Sequence, residues 1–442
     1  MPTMEDKKMS EYRFDTKRIH AGYDPKEHFN SVNYPIYQTA AFDLDTVDHA
    51  RELWTGAASG GIYTRVGNPT VAILEQRILE LDGGVAAVAV SSGMTAISFV
   101  VLLLGQGGGN IVSASSLYGA AQESLTHFFP KYGVTTKFVE DRDDVAAYEK
   151  LIDENTRAIY LESISNPNIE VYDFEKIAEV AHRHGVPLVV DNTVATPYLF
   201  RPFDHGADII VYSATKGLSG HGNTIAGLVV EKGGFSYSKE RFPQFHEKSW
   251  KMRDLNDQER TPLELAPQSP VVASLKVFFM EFFGANLGCF DAYLALQGIS
   301  TLSERLSKQV ASAEKIIEFL EKQPQVEWVR HPHAKGSRYK ELAARYFPKG
   351  AGAILSFGLK GSQEQLKQFV SELHVFSHHV NIGDVRSLIA YPAATTHTEL
   401  LPESRRLAGI EPNLLRLSIG LEDVDDLIED LAQALHKVYD EK

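Results

Sequence analysis

Apolar positions recur with two alternating periods between residues 61 and about 235. Val71, Leu74, Ile78 and Leu81 fall at helical spacing, and Gly83-Gly84 marks the stop. Val85 to Val90 is short, continuous and apolar, as a strand buried on both faces must be. The same reading predicts helices at Gly93 to Leu104, Ala120 to Tyr132, Asp144 to Ile152 and Phe174 to His184. It predicts strands at Asn110 to Ala114, Val134 to Val139, Ala158 to Ile164, Val186 to Val190, Ile209 to Tyr212 and Thr224 to Val230. Nearly all-apolar strands separated by helices predict an α/β fold with a largely parallel sheet covered on both sides.

The flanks read differently. Residues 1–60 show little sustained period and are expected to form an irregular arm. Residues 61–270 form the expected main domain, with a polar, proline-bearing insertion at 232–270. Residues 271–442 are expected to form a smaller α/β domain. There the pattern predicts one long helix from Phe290 to about Leu320 and strands near Val326 to Val329 and Gly352 to Leu359. Helices are predicted at Gln363 to Leu373 and Val424 to Tyr439.

Composition narrows the class without changing that picture. The chain has 442 residues, 43% hydrophobic and 23% charged, which suits a globular protein with a sizeable core. Its formal charge of -14 argues against nucleic acid or an anionic membrane as the main partner. The longest apolar run, Ile97 to Leu104, is far short of the roughly 20 residues that span a bilayer. The N-terminus lacks an apolar signal core, and the one cysteine, Cys289, allows no internal disulfide. A reducing cytoplasm fits these features.

Chemistry gathers at the carboxyl ends of the expected strands, where α/β sheets place ligands. One strand ends in Ser213-Ala214-Thr215-Lys216, another in Asp191-Asn192-Thr193. Alone, each is an ordinary strand end. Together, an amine and a carboxylate so placed suggest pyridoxal phosphate. Lys216 would join the aldehyde, Asp191 would hold the pyridine nitrogen, and Ser213 and Thr215 would contact the phosphate. Ser91-Ser92-Gly93-Met94 stands before a helix, and serine caps helices regardless. The N–H groups of Gly93 and Met94 there also suit a phosphate. Tyr63 and Arg65 are either surface residues or a pair that reaches one phosphate. Tyr118 either packs or stacks on a flat ring. Arg416, inside the apolar strand Leu414 to Ile419, needs a buried protein carboxylate or a substrate carboxylate as partner. His331-x-His333 and His378-His379 lack a third ligand at metal spacing, so no metal is expected.

In order and spacing these pieces resemble the pyridoxal-phosphate enzymes of cysteine and methionine metabolism. The likeness runs from about Ile19 to the C-terminus, through Pro35 to Thr39, Tyr63 to Thr70, Leu117-Tyr118-Gly119, Asn166-Pro167 and Gly220-His221. It implies an aspartate-aminotransferase-like (fold type I) architecture. Lys216 becomes the cofactor lysine and proton shuttle, Asp191 the ring-nitrogen partner and Tyr118 the stacking ring. Gly93, Met94, Asn166, Thr193, Ser213 and Thr215 become cofactor contacts. Arg416 and Asn381 become substrate contacts. Tyr63 and Arg65 would serve the neighbouring subunit, so the resemblance implies a dimer at least and usually a homotetramer, with the arm contributing to it.

Within that family the O-acetylhomoserine sulfhydrylase branch is most similar, on Ile62 to Thr70, Gly350 to Leu355, Asn381 to Asp384 and Tyr391 to His397. Ala120 stands where methionine γ-lyases carry cysteine. Gly288-Cys289-Phe290, the stretch Trp250 to Glu264, and the lack of an arginine within Leu275 to Phe283 depart from the branch pattern. The implied reaction is γ-replacement on O-acetyl-L-homoserine by sulfide or a thiol. γ-Elimination or transsulfuration (cystathionine γ-synthase, γ-lyase or methionine γ-lyase type) is the alternative within the class. A non-catalytic binding protein that kept the fold is the alternative outside it.

Overall fold

The computed structural model describes residues 8–395, 405 and 408–440. Two sheets organise it. The larger is built from β1 (Ala86–Val90), β2 (Asn110–Ala114), β3 (Thr135–Val139), β4 (Thr156–Glu162), β5 (Leu188–Asp191), β6 (Ile209–Ser213) and β7 (Gly227–Glu231). Their order is β1-β7-β6-β5-β4-β2-β3. The run from β6 to β3 is parallel, as expected. β7 is antiparallel to both its neighbours, so the sheet is mixed, and the expected strand at Thr224 begins only at Gly227. No helix lies between β6 and β7 to carry the chain back across the sheet, and it returns antiparallel.

The apolar runs have a direct cause. In β1, Ala87 and Ala89 enter one core while Val88 and Val90 enter the other. β4 and β6 divide in the same way, with Ile159 and Leu161 against Ala158 and Tyr160, and Ile210 and Tyr212 against Ile209 and Val211. A strand buried on both faces has no room for alternation, and each valine, leucine or isoleucine in it contributes roughly 1.5–3 kcal/mol of burial.

Helices follow local rules where those suffice. Asn68 accepts the N–H of Thr70, Pro69 takes the first turn, and Gly83 closes the helix Pro69–Asp82 with φ 80°. Elsewhere tertiary partners decide. The arm is not irregular throughout, because helices span Phe14–His20 and Val47–Thr55. The first has no side-chain cap. Its end is held instead by Arg77, buried in the Pro69–Asp82 helix, which donates to the carbonyls of Arg18 and Ala21. The expected helix at Ala120–Tyr132 is three short pieces, with Pro130 in the last.

The stretch 232–270 buries Tyr237, Phe242 and Phe245 and carries a small two-stranded sheet, β8 (Ser249–Arg253) with β9 (Glu259–Arg260). The expected long helix beyond it is two, Cys289–Ile299 and Leu302–Leu320. At the break, Arg305 donates to the carbonyl of Gly298 and to those of Gly217 and Leu218, which ties the joint to the loop after β6.

The second sheet is β10 (Val326–Arg330), β11 (Ile354–Leu359), β12 (Ser377–His378), β13 (Leu388–Ala390) and β14 (Leu414–Ser418). Its order is β10-β11-β14-β13-β12, antiparallel except for β12 on β13. It meets the large sheet at the functional cavity. Gly383, at φ 66°, lies so near the loop after β6 that a Cβ there would sit 2.7 Å from the Gly217 nitrogen. Among the described residues no helix is long and apolar enough to cross a membrane.

Candidate active site

The carboxyl ends of β1, β2, β4, β5 and β6 open on one cavity of about 260 Å³. Every residue expected to contact the cofactor or substrate lines it except Tyr63 and Arg65. Gly93 and Met94 enter from the helix Gly93–Leu104, Tyr118 from beyond β2, Asn166 from beyond β4. Asp191 and Thr193 enter at the end of β5, and Ser213, Thr215 and Lys216 at the end of β6. Asn381 and Arg416 close the wall from the second sheet's side. Thr396 and His397 lie outside the described residues.

Lys216 is partly enclosed, and its Nζ donates to Asn381 Oδ1 at 2.6 Å. Burial, and then the Arg416 guanidinium, pull its pKa down to about 8, while Asp384 opposes the shift. A lysine so placed is neutral far more often at ordinary pH than an exposed one, and the neutral form is the nucleophile.

Asp191 ends β5 half-buried at the cavity, after three fully buried residues. One carboxylate oxygen accepts the Thr193 N–H at 2.9 Å and the other accepts the Tyr160 hydroxyl at 3.3 Å. Burial pushes its pKa up, with the Thr193 and Tyr160 bonds opposing. No ion pair to Asp191 occurs among the described residues, so a cationic group in the cavity would relieve it.

Arg416 is nearly inaccessible. Its Nη1 donates to Asn166 Oδ1 at 2.9 Å and its Nη2 to the Asn381 carbonyl at 3.0 Å. Burial lowers its pKa to about 10. The buried protein carboxylate weighed for it is absent among the described residues, and its Nε has no hydrogen-bond partner there. A buried guanidinium on the cavity wall, with no protein carboxylate beside it, suits a ligand carboxylate.

The helix Gly93–Leu104 supplies an anion cradle. Ser92 Oγ accepts the Thr95 N–H at 3.1 Å and caps the helix, so the structural reading of this serine holds. The N–H groups of Gly93 and Met94 stay at the positive helix end. A Cβ at Gly93 would lie 2.5 Å from the Ser213 Cβ, so only glycine lets the two loops meet. Thr215 Oγ1 accepts the Ala226 N–H at 2.9 Å, and Thr193 Oγ1 accepts the Ser213 N–H at 2.8 Å, which fixes the hydroxyl-bearing rim.

Tyr63 and Arg65 sit together outside the cavity. The guanidinium carbon lies 5.5 Å from the tyrosine ring centre, and that ring is 45% exposed. The histidines set aside as metal ligands have local roles or none: His331 Nδ1 accepts the His333 N–H. Among the described residues no group of three or more metal-ligating side chains is assembled.

Sequence reasoning missed Glu162, which ends β4 and lines the cavity. A carboxylate closing an otherwise apolar strand, as Asp191 does, was the available signal. It also missed the apolar lining of Ile97, Ile164, Val194, Ile225, Val380 and Ile382, which looks like ordinary core until the loops are placed.

A mixed α/β sheet that presents an amine of lowered pKa, a buried carboxylate and a glycine-lined anion cradle in one cavity fits pyridoxal phosphate. Fold and site together define a pyridoxal-phosphate enzyme of the aspartate-aminotransferase-like class. The chain belongs to the Cys/Met metabolism PLP-dependent enzyme family, whose model matches residues 15–436. It is 42% identical over 427 residues to a homocysteine synthase of Schizosaccharomyces pombe, covering 96% of this chain and 98% of that one. It is 40% identical over 429 residues to a sulfhydrylase of Gibberella moniliformis, again covering 96% and 98%. Among solved structures it is similar to a putative O-acetylhomoserine (thiol)-lyase from Campylobacter jejuni that carries a pyridoxyl-lysine phosphate. That match has a TM-score of 0.90 and 34% identity, and covers 96% of this chain and all of that one.

Proposed function

We propose that this protein replaces the acetoxy group of O-acetyl-L-homoserine by sulfide, giving L-homocysteine and acetate. The observation that carries the reading is the convergence in one cavity of Lys216, Asp191 and Arg416, a guanidinium bonded to an amide and a carbonyl and to no protein carboxylate. The name of the Campylobacter structure supplies the substrate, O-acetylhomoserine, and that of the Schizosaccharomyces relative the product, homocysteine.

Bound pyridoxal phosphate supplies an aldehyde that joins an amine and a ring that withdraws electrons from the neighbouring carbon. The chain does the rest. Gly93, Met94, Ser213 and Thr215 would hold the phosphate, Tyr118, Asn166 and Thr193 would border the ring, and Asp191 would face its nitrogen. Arg416 would grip the substrate carboxylate, with Asn381 bonded to both Arg416 and Lys216. Lys216 Nζ would take the α-proton and later return it. Loss of a second proton, from Cβ, lets the C–O bond to acetate at Cγ break; a C–S bond to sulfide then forms there and protons return to Cβ and Cα. Acetate departs as a stable anion and needs little acid assistance.

The finer points follow the same reading. Residues 61–270 form the cofactor domain, 271–442 the second domain and 1–60 an arm. Tyr63 and Arg65, away from their own cavity and exposed, reach the phosphate site of a second copy. The active unit is then at least a dimer, with a tetramer as the expected assembly, and the cytoplasm is its place.

Two measurements test this. The purified holoenzyme should be yellow, and with O-acetyl-L-homoserine it should make homocysteine only when sulfide is present. Release of 2-oxobutanoate at a comparable rate without sulfide moves the assignment to γ-elimination. A preparation that stays colourless with excess cofactor removes the assignment altogether.

The amine's titration gives a separate check. With its pKa near 8, the neutral fraction of Lys216 rises with pH and then saturates. Capture of added cofactor by cofactor-free protein should therefore quicken about tenfold between pH 7 and 9 and level off above, whereas an unshifted lysine would give about a hundredfold with no plateau. Absorbance followed after mixing reads this directly, and the hundredfold result contradicts the lowered value.

A further inference from the structure

Glu162 has no role in the chemistry above, yet its surroundings are unusual for a structural residue. It is the last residue of β4, 5% exposed, and it lines the cavity. Its cross-strand neighbour is Asp191, a second carboxylate on the cavity wall. No cation pairs with it among the described residues. Burial, then the Asp191 charge, push its pKa well up. An acid in such a place costs stability unless its oxygens are used.

Both are used on the site. Oε1 accepts the backbone N–H of Tyr118 at 2.6 Å and Oε2 accepts that of Asn166 at 3.0 Å. The two donors come from different loops, one beyond β2 and one beyond β4. Each carries a side chain on the cavity wall: the Tyr118 ring, and the Asn166 amide that accepts from Arg416. A glutamine could not do the same: it offers one acceptor oxygen and would set its own N–H groups against the second backbone donor.

We propose that Glu162 is a positioning residue, a carboxylate clamp that fixes the Tyr118 ring and the Asn166–Arg416 pair at one spacing. The proposal rests on the roles given to Tyr118 and Asn166 above. The clamp acts on geometry, so its loss should disturb how the bound ring is held before it disturbs whether Lys216 is joined to it.

The test compares holoenzyme with Glu162→Gln and Glu162→Ala. The measurements are borohydride-fixed label on Lys216, circular dichroism in the cofactor's visible band, kcat and the unfolding midpoint. Both variants should still take the label, and the visible dichroism should fall by about half or more, because it reports a ring held in one orientation. With one of its two backbone hydrogen bonds lost, kcat should drop about tenfold in Glu162→Gln, and with both lost about a hundredfold in Glu162→Ala. If Glu162→Ala does not fold, Glu162→Gln decides alone. A lowered midpoint with kcat and dichroism both within twofold of wild type means a merely structural acid and overturns the clamp. Wild-type protein that takes no label on Lys216 overturns the cofactor reading itself, a separate failure.

Discussion

Lys216→Ala leaves a folded protein that binds pyridoxal phosphate weakly and turns over at least about 10⁴-fold more slowly than wild type. The size follows from two losses together. The alanine cannot join the cofactor's aldehyde, and no other described residue brings an amine into the cavity. It also cannot take or return the α-proton, a general base function worth roughly 10²–10⁴-fold by itself. Folding should survive. The substitution frees Asn381 Oδ1 of its 2.6 Å bond, but it also removes a buried cation that Arg416 repels. Steady-state rates with O-acetyl-L-homoserine and sulfide, beside an unfolding midpoint, check both halves. A variant that keeps a normal rate refutes the assignment of this lysine. A variant that loses the rate only because it does not fold says nothing against it, and the midpoint tells the two apart.

The parts of this molecule that were legible in sequence share a physical cause, and so do the parts that were not. Strands such as Ala86–Val90 and Ile209–Ser213 announce themselves because each is buried on both faces, so every position is apolar. The residues at their ends stand out by contrast, which is how Lys216 and Asp191 could be picked before any contact was known. Glu162 escaped because nothing adjacent to it in sequence reveals the N–H of Tyr118, 44 residues away. The short Phe14–His20 helix escaped for the same reason, since the Arg77 side chain that holds its end comes from another helix. The break at Ser300 and Thr301 is likewise set by Arg305 reaching three carbonyls, two of them in the loop after Lys216. Local pattern finds surfaces that are uniformly buried. It does not find single long-range hydrogen bonds, and this site depends on several of them.

Asp191→Asn separates what the site costs the protein from what it gives the reaction. The substitution keeps shape, and the amide oxygen can still accept the Thr193 N–H. It removes a charge that burial disfavours. A carboxylate whose folded pKa is raised lends stability only at low pH, and that contribution is lost as pH rises through the folded value. Near neutral pH the cofactor-free protein therefore bears an uncompensated acid, doubled by Glu162 beside it. Cofactor-free Asp191→Asn should accordingly unfold at a higher temperature than cofactor-free wild type near pH 8, and the gap should close towards pH 4. Activity should move the other way. Without the carboxylate the ring nitrogen loses its proton, the ring withdraws electrons poorly, and kcat should fall about 10²–10³-fold while Lys216 still takes the borohydride-fixed label. Paired unfolding curves at the two pH values, with single-turnover rates on the loaded enzyme, read both signs. A variant that is less stable without cofactor, or as fast as wild type with it, contradicts the assignment of Asp191 as the partner of the ring nitrogen.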